Sequence, residues 1–160
     1  MRVQDDLAAQ ALRYSDILLE DPMLVGIREE IDGETVELDF YVPRPAAFVF
    51  QKGLAFTKRK DRVKKAKDLY YLFDIIAGYP EFAGGVEQGM AEFKAARPAW
   101  FKQFIKNLTK HFLNDDAPGP LMIVEQRSED AYKSLNDDQL EQYCRSRIAD
   151  FVRSVSWKRR

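Results

Sequence analysis

Two alternating runs stand out along the chain. Met23, Val25, Ile27 and Ile31 occupy period-2 positions, with Glu29 breaking the row. After Asp32-Gly33 the alternation resumes, with Val36, Leu38, Phe40 and Val42 set against Glu37, Asp39 and Tyr41. Successive strand side chains point to opposite faces, and Asp-Gly suits the tight turn that matches strand twist. Residues 22–43 therefore read as a β-hairpin with one apolar face. A two-stranded hairpin is marginal alone, so that face is expected to be paired or covered.

The other long segments carry helical spacing. Asp5 or Asp6 can cap a first helix to about Glu20, with Leu7, Ala11 and Leu18 on one face and Leu12 and Leu19 beside it. Pro43 and Pro45 close the second strand and preset a helix start. Ala46 to Phe56 is apolar almost all round, which predicts a buried helix with Lys52 as its one interior charge. The next helix runs from about Val63 to Ala77 on a stripe of Val63, Ala66, Leu69, Tyr70, Phe73 and Ile76, and Gly78 and Pro80 end it. Glu81 to Ala95 is a weaker helix, loosened by Gly84 and Gly85. Pro98 opens another to about Leu113, with Phe101, Ile105, Leu108 and Phe112 inward and Lys102, Lys106 and Lys110 four apart on another face. A last helix from near Asn136 to about Ser154 presents Leu140, Cys144, Ile148, Phe151 and Val155. The apolar run Leu121 to Val124 fits either a helix or a strand. The expectation is an α+β, mainly helical fold, with about six helices packed on one hairpin.

Composition adds limits. The chain has 160 residues, of which 46% are hydrophobic and 32% charged, a balance that builds one globular domain over 1–160 and argues against disorder. One Cys excludes an intramolecular disulfide, and one His with one Cys excludes the usual zinc sites, so no metal ligands are assigned. Nothing resembles a signal peptide, and no apolar run approaches the length of a membrane span, so the expected location is cytoplasmic, away from membranes.

The net charge of −1 says little about partners, but its distribution says more. Lys58, Arg59, Lys60, Arg62, Lys64, Lys65 and Lys67 crowd the linker after the buried helix, with Asp61 the only acid among them. A Lys inside an apolar helix is costly unless its ammonium reaches water or an anion. Lys52 with this basic corner and Asp68 therefore suits a polyanion such as a nucleoside triphosphate or an RNA backbone. The plainer account is a solvated helix corner. The Lys102, Lys106 and Lys110 stripe, with Trp157, Lys158, Arg159 and Arg160, offers a second basic surface, for which a solvated helix face is again the plainer account. His111 reads as an ordinary boundary residue and Cys144 as a buried structural thiol.

The stretch Val42-Pro43-Arg44-Pro45-Ala46-Ala47-Phe48-Val49-Phe50-Gln51-Lys52-Gly53-Leu54-Ala55-Phe56, then Arg59, then Lys64-Lys65-Ala66-Lys67-Asp68-Leu69-Tyr70, resembles a segment of the nucleotidyltransferase-like superfamily. It is most similar to the bacterial group that includes the AbiEii-type toxins: a strand, a Pro-led helix with a Lys, a basic linker and a Lys/Arg-Asp-Leu helix. Gln10 to Glu20 resembles one branch of that group, so the likeness covers roughly residues 8–77. It implies that Lys52 faces nucleotide phosphates with Arg59 and Lys67 in support, and that Asp68 is a catalytic-site residue orienting a nucleophile or a lysine.

Two departures bear on activity. Where some toxin-type members carry a second acid, three residues after the first, this chain has Tyr71, and its next acid is Asp74. The family's metal-binding head, a Gly-Ser turn followed by an Asp-x-Asp strand, is missing from the sequence. Nucleotidyl transfer needs paired carboxylates to hold Mg²⁺ against the triphosphate. Glu37-Leu38-Asp39 is the near match, but it reads as the solvent face of the hairpin.

The resemblance therefore implies the C-terminal part of a nucleotidyltransferase fold over 1–78, followed by a helical part over 79–160. Such a chain is expected to be inactive alone, or to come from a truncated frame. Mg²⁺ and NTP are implied only where the metal-binding head is present. The alternative is a non-enzymatic module that binds RNA, a nucleotide or a protein through the basic corner. A homodimer is the expected remedy for the uncovered hairpin face.

Overall fold

The computed structural model describes residues 14–128 and 131–156. Among them are two strands, β1 (Met23–Ile31) and β2 (Glu34–Val42), and six α-helices. The helices are α1 (Pro45–Ala55), α2 (Arg62–Gly78), α3 (Ala83–Ala96), α4 (Pro98–Phe112), α5 (Gly119–Val124) and α6 (Asp137–Ser156). The fold is α+β and mainly helical. One hydrophobic cluster runs through it from Ile17 to Val155, so the helices of both halves share a core.

The six helices are not the expected six. Ser15–Leu19 is a short 3-10 turn entered through Tyr14, whose φ of 65° lies in the left-handed region that an α-helix cannot pass through. Ile17 is the side chain it buries, while Leu19 is exposed. The predicted cap at Asp5 or Asp6 and the predicted face at Leu7, Ala11 and Leu12 lie outside the described residues. The place in the count is taken by α5, where Pro120 sits in the first turn and Met122 and Ile123 are buried.

The hairpin has the expected turn and register. Asp32 and Gly33 both have positive φ, 52° and 83°, as a two-residue loop with matched twist requires. Met23 pairs with Val42, Val25 with Phe40, Ile27 with Leu38 and Glu29 with Val36, so the apolar residues share one face. Leu24, Arg28, Glu37 and Asp39 take the other face, where Arg28 and Glu37 form an exposed ion pair at 3.3 Å. Among the described residues the apolar face stays open: Met23, Ile27, Ile31, Leu38 and Phe40 are all exposed.

The centre of the molecule is α1. Pro45 opens it, and Ala46, Ala47, Val49, Phe50, Leu54 and Ala55 are buried on nearly every side against α2, α3 and α4. Phe50 stacks on Phe93 at 4.5 Å and meets Phe104 at 5.3 Å. Asp61 caps α2, its carboxylate accepting from the Lys64 amide at 3.1 Å. That helix buries Ala66, Leu69, Leu72, Phe73 and Ile76. Val63, expected in the stripe, is exposed because it lies in the first turn, where the chain leaves the open basic linker. On α4 the inward row is Phe101, Phe104, Leu108 and Phe112, with Ile105 only half-buried. Asn136 and Gln139 cap α6 reciprocally at 2.9 and 3.0 Å. Burial pushes the Cys144 thiol up to about 12, so it is inert.

Candidate nucleotide-phosphate site

The chain between α1 and α2 folds a carboxylate under two cations. Lys52 stands in the last turn of α1. The buried Phe56 then anchors a 3-10 turn, Phe56–Lys58, after which Arg59 turns back toward α2. Asp68 lies on the inward side of α2, only 5% of its side chain exposed. Its Oδ1 accepts from Lys52 Nζ at 2.5 Å and its Oδ2 accepts from Arg59 Nε at 2.8 Å. Lys52 is 16% exposed and its ammonium also lies 5.1 Å from the centre of the Phe48 ring. Arg59 is 32% exposed, and its terminal nitrogens take no part in the bond to Asp68.

This geometry meets the rule that a buried charge must be paired, and each oxygen of Asp68 has its own donor. Two cations on one carboxylate leave one positive charge uncompensated. Packing and Asp68 together restrain Lys52 and Arg59, so less rotamer entropy remains to be lost when an anion binds. The structure thus brings Lys52, Arg59 and Asp68 together. Lys67, the fourth residue of the expected set, is exposed one position earlier on α2, and its positive charge acts on Asp61.

Around the cluster, Lys58, Lys60 and Lys64 are exposed and Lys65 is half-buried. His111 of α4 closes against this corner, its ring centre 4.8 Å from that of Phe56 in an edge-to-face contact and its Nδ1 2.9 Å from the Asn107 carbonyl. Burial first, and then the ammoniums of Lys65 and Lys110, hold its pKa below the usual value, while the Asn107 carbonyl acts the other way. Lys65 of α2 and Lys110 of α4 thus both act electrostatically on His111. Lys102 and Lys106 are exposed on the outer face of α4. The basic residues 157–160 lie outside the described residues.

Glu37 and Asp39 share a face of β2, as Mg²⁺ binding would need, but their surroundings do not suit a metal. Arg28 is paired to Glu37, and the Asp39 carboxylate lies so close over Gly26 that an added Cβ would sit 3.0 Å from its Oδ1. Among the described residues no three His, Cys, Asp or Glu side chains gather as a metal site. Asp74 turns to the far side of α2, where its Oδ1 accepts from the Tyr132 hydroxyl at 3.2 Å.

Sequence reasoning gave no role to two residues beside the cluster. Phe48 stands one turn before Lys52 on α1, and Tyr71 one turn after Asp68 on α2, and their rings meet at 6.5 Å. The four-residue step from Phe48 to Lys52 was the available signal.

A family model described as nucleotidyltransferase matches residues 1–80, half of the chain. The chain belongs to the nucleotidyltransferase family. The matched stretch holds the hairpin, α1 and all three members of the Lys52–Asp68–Arg59 cluster. No curated protein and no solved structure matches the chain. Among the described residues no helix of this nucleotidyltransferase-family chain is long and apolar enough to cross a membrane.

Proposed function

We propose that this chain is the phosphate-holding part of an AbiEii-like nucleotidyltransferase, C-terminal to the metal-binding head, and that it transfers no nucleotidyl group by itself. Support comes from one observation above the others: Asp68 is buried beneath Lys52 and Arg59, and the trio carries a net positive charge at the edge of a basic corner. Lys52 and Arg59 hold the nucleotide's phosphates, Lys67 adds long-range attraction from the exposed side of α2, and Asp68 orients the two cations. The carboxylates that would hold Mg²⁺ are not supplied by Glu37 and Asp39. The setting is a reducing cytoplasm, where Cys144 remains a thiol.

Calorimetric titration of ATP and GTP should show salt-sensitive binding to the wild-type chain. Binding to Lys52→Ala should be weaker by about tenfold, the loss of one charge-assisted hydrogen bond. Equal binding by both proteins, or none at millimolar ligand, would leave the corner a solvated surface. In the same preparations, labelled NTP with Mg²⁺ and RNA should give no incorporation. Sustained metal-dependent incorporation that survives Glu37→Ala with Asp39→Ala would overturn the inactive reading.

The second reading is a non-enzymatic module that binds RNA, a nucleotide or a protein, favoured by the ammoniums of Lys65 on α2 and Lys110 on α4 both acting on His111. For the hairpin, the proposed cover is a second copy of the chain, since an exposed row of Met23, Ile27, Leu38 and Phe40 invites association. Sedimentation is expected to show a dimer that Leu38→Lys weakens. A strict monomer at high concentration would count against it.

A further inference from the structure

Tyr71, three residues after Asp68 on α2, has a place in this geometry. Tyr71 is 47% exposed, unusual for a ring in the middle of a helix that packs in the core. It is not loose, because Phe48 at 6.5 Å and Tyr70 at 6.0 Å both meet it edge to face and restrict its plane. Phe48 is the same ring that lies 5.1 Å from the Lys52 ammonium. On α1 the step from Phe48 to Lys52 is one turn, and on α2 the step from Asp68 to Tyr71 is one turn. The two helices thus carry an ion-pair cluster and, one turn away, an aromatic pair with one ring open to solvent. A cationic group and an exposed ring linked through one intervening ring have the chemistry of a nucleotide site, which takes phosphates at one end and a flat base at the other. The nearest acid farther along α2, Asp74, is occupied by Tyr132.

We infer that Tyr71, backed by Phe48, is the surface on which the nucleobase stacks while the phosphates lie on Lys52 and Arg59. This rests on the phosphate-holding reading above and adds the base end of the site. Stacking reads the area of a base and not its hydrogen-bonding edge, so purine nucleotides bind more tightly than pyrimidine ones, and adenine is not distinguished from guanine.

The test compares ATP with inorganic tripolyphosphate, which has the phosphates without the base, by calorimetry on the full chain. Wild type should bind ATP about tenfold more tightly than tripolyphosphate, the effect of one stacked base. Tyr71→Ala should bring that ratio to about one and leave tripolyphosphate affinity unchanged. Tyr71→Phe should keep the ratio. Lys52→Ala should weaken both ligands together and also keep the ratio. Tyr71 is half-exposed, so its removal leaves the core intact, and an unchanged thermal midpoint verifies this. If tripolyphosphate binds through Lys52 but Tyr71→Ala retains the preference for ATP, the stacking inference is wrong and the phosphate reading stands. If tripolyphosphate does not bind, or binds independently of Lys52, the phosphate reading fails and the stacking inference fails with it.

Discussion

Asp68→Ala is expected to lower the stability of the chain by about 3 kcal/mol, the low end for removing one member of a buried ion pair. The low end applies because the two groups left unpaired, Lys52 and Arg59, can each recover some water. Asp68→Asn keeps the volume and one acceptor and should cost roughly half as much. For a chain of this size the Ala change corresponds to a drop in thermal midpoint of about 10 °C, readable by circular dichroism. Lys52→Met should cost less than Asp68→Ala, because Asp68 keeps Arg59 at 2.8 Å and Met keeps the unbranched apolar bulk of residue 52 without a charge to leave unpaired. That ranking separates the clamp from an ordinary surface pair, whose loss is worth under about 1 kcal/mol whichever partner is removed. A wild-type midpoint in Asp68→Asn would show that the clamp does not exist in solution.

The parts of this fold written in local sequence were legible. Alternation and Asp32-Gly33 specify the hairpin and its register, because strand period and turn chemistry act over a few residues. Pro45 and Asn136 mark helix starts for the same reason, whereas the cap at Asp61 was not read from the sequence. What depends on tertiary partners was not legible. The turn at Ser15–Leu19 looked helical by spacing, but the left-handed Tyr14, whose ring meets Trp100 at 5.0 Å, ends any helix there. Leu121 to Val124 is ambiguous by spacing, and its form as a helix depends on packing against α2 and α6, where Met122 and Ile123 are buried. On α4 the spacing placed Ile105 inward, but the rings of Phe50 and Phe151 draw Phe104 into the core instead and leave Ile105 half-buried. In the candidate site, Lys52 was conspicuous as a lone charge in an apolar helix, and the family segment pointed to Asp68 and Arg59. That Asp68 takes both cations, one on each oxygen, and that Lys67 stays outside, are facts of how α1 meets α2.

The same helix meeting gives the second large effect. Gly53 follows Lys52 on α1, and a Cβ added there would lie 2.3 and 2.4 Å from Cε2 and Cδ2 of the Phe104 ring. Phe104 cannot yield easily, because Phe50, Phe101 and Phe151 surround it and it is fully buried. Gly53→Ala must therefore push α1 away from α4, stretching the 2.9 Å bond from the Asn107 amide to the Gly53 carbonyl. Overpacking of this kind costs about 3 kcal/mol, against which the better helix propensity of Ala returns about 1 kcal/mol. A net loss of about 2 kcal/mol is expected, together with weaker ATP binding, since Lys52 moves with the helix. Gly84 and Gly85 are the controls. Both lie in α3 with nothing within 4 Å of an added Cβ, so Ala at either should stabilise the chain by about 0.5–1 kcal/mol. Urea denaturation of the three variants gives the comparison directly. If Gly53→Ala gains stability as Gly84→Ala does, α1 and α4 do not approach this closely, and the rigid seat assigned to Lys52 is lost.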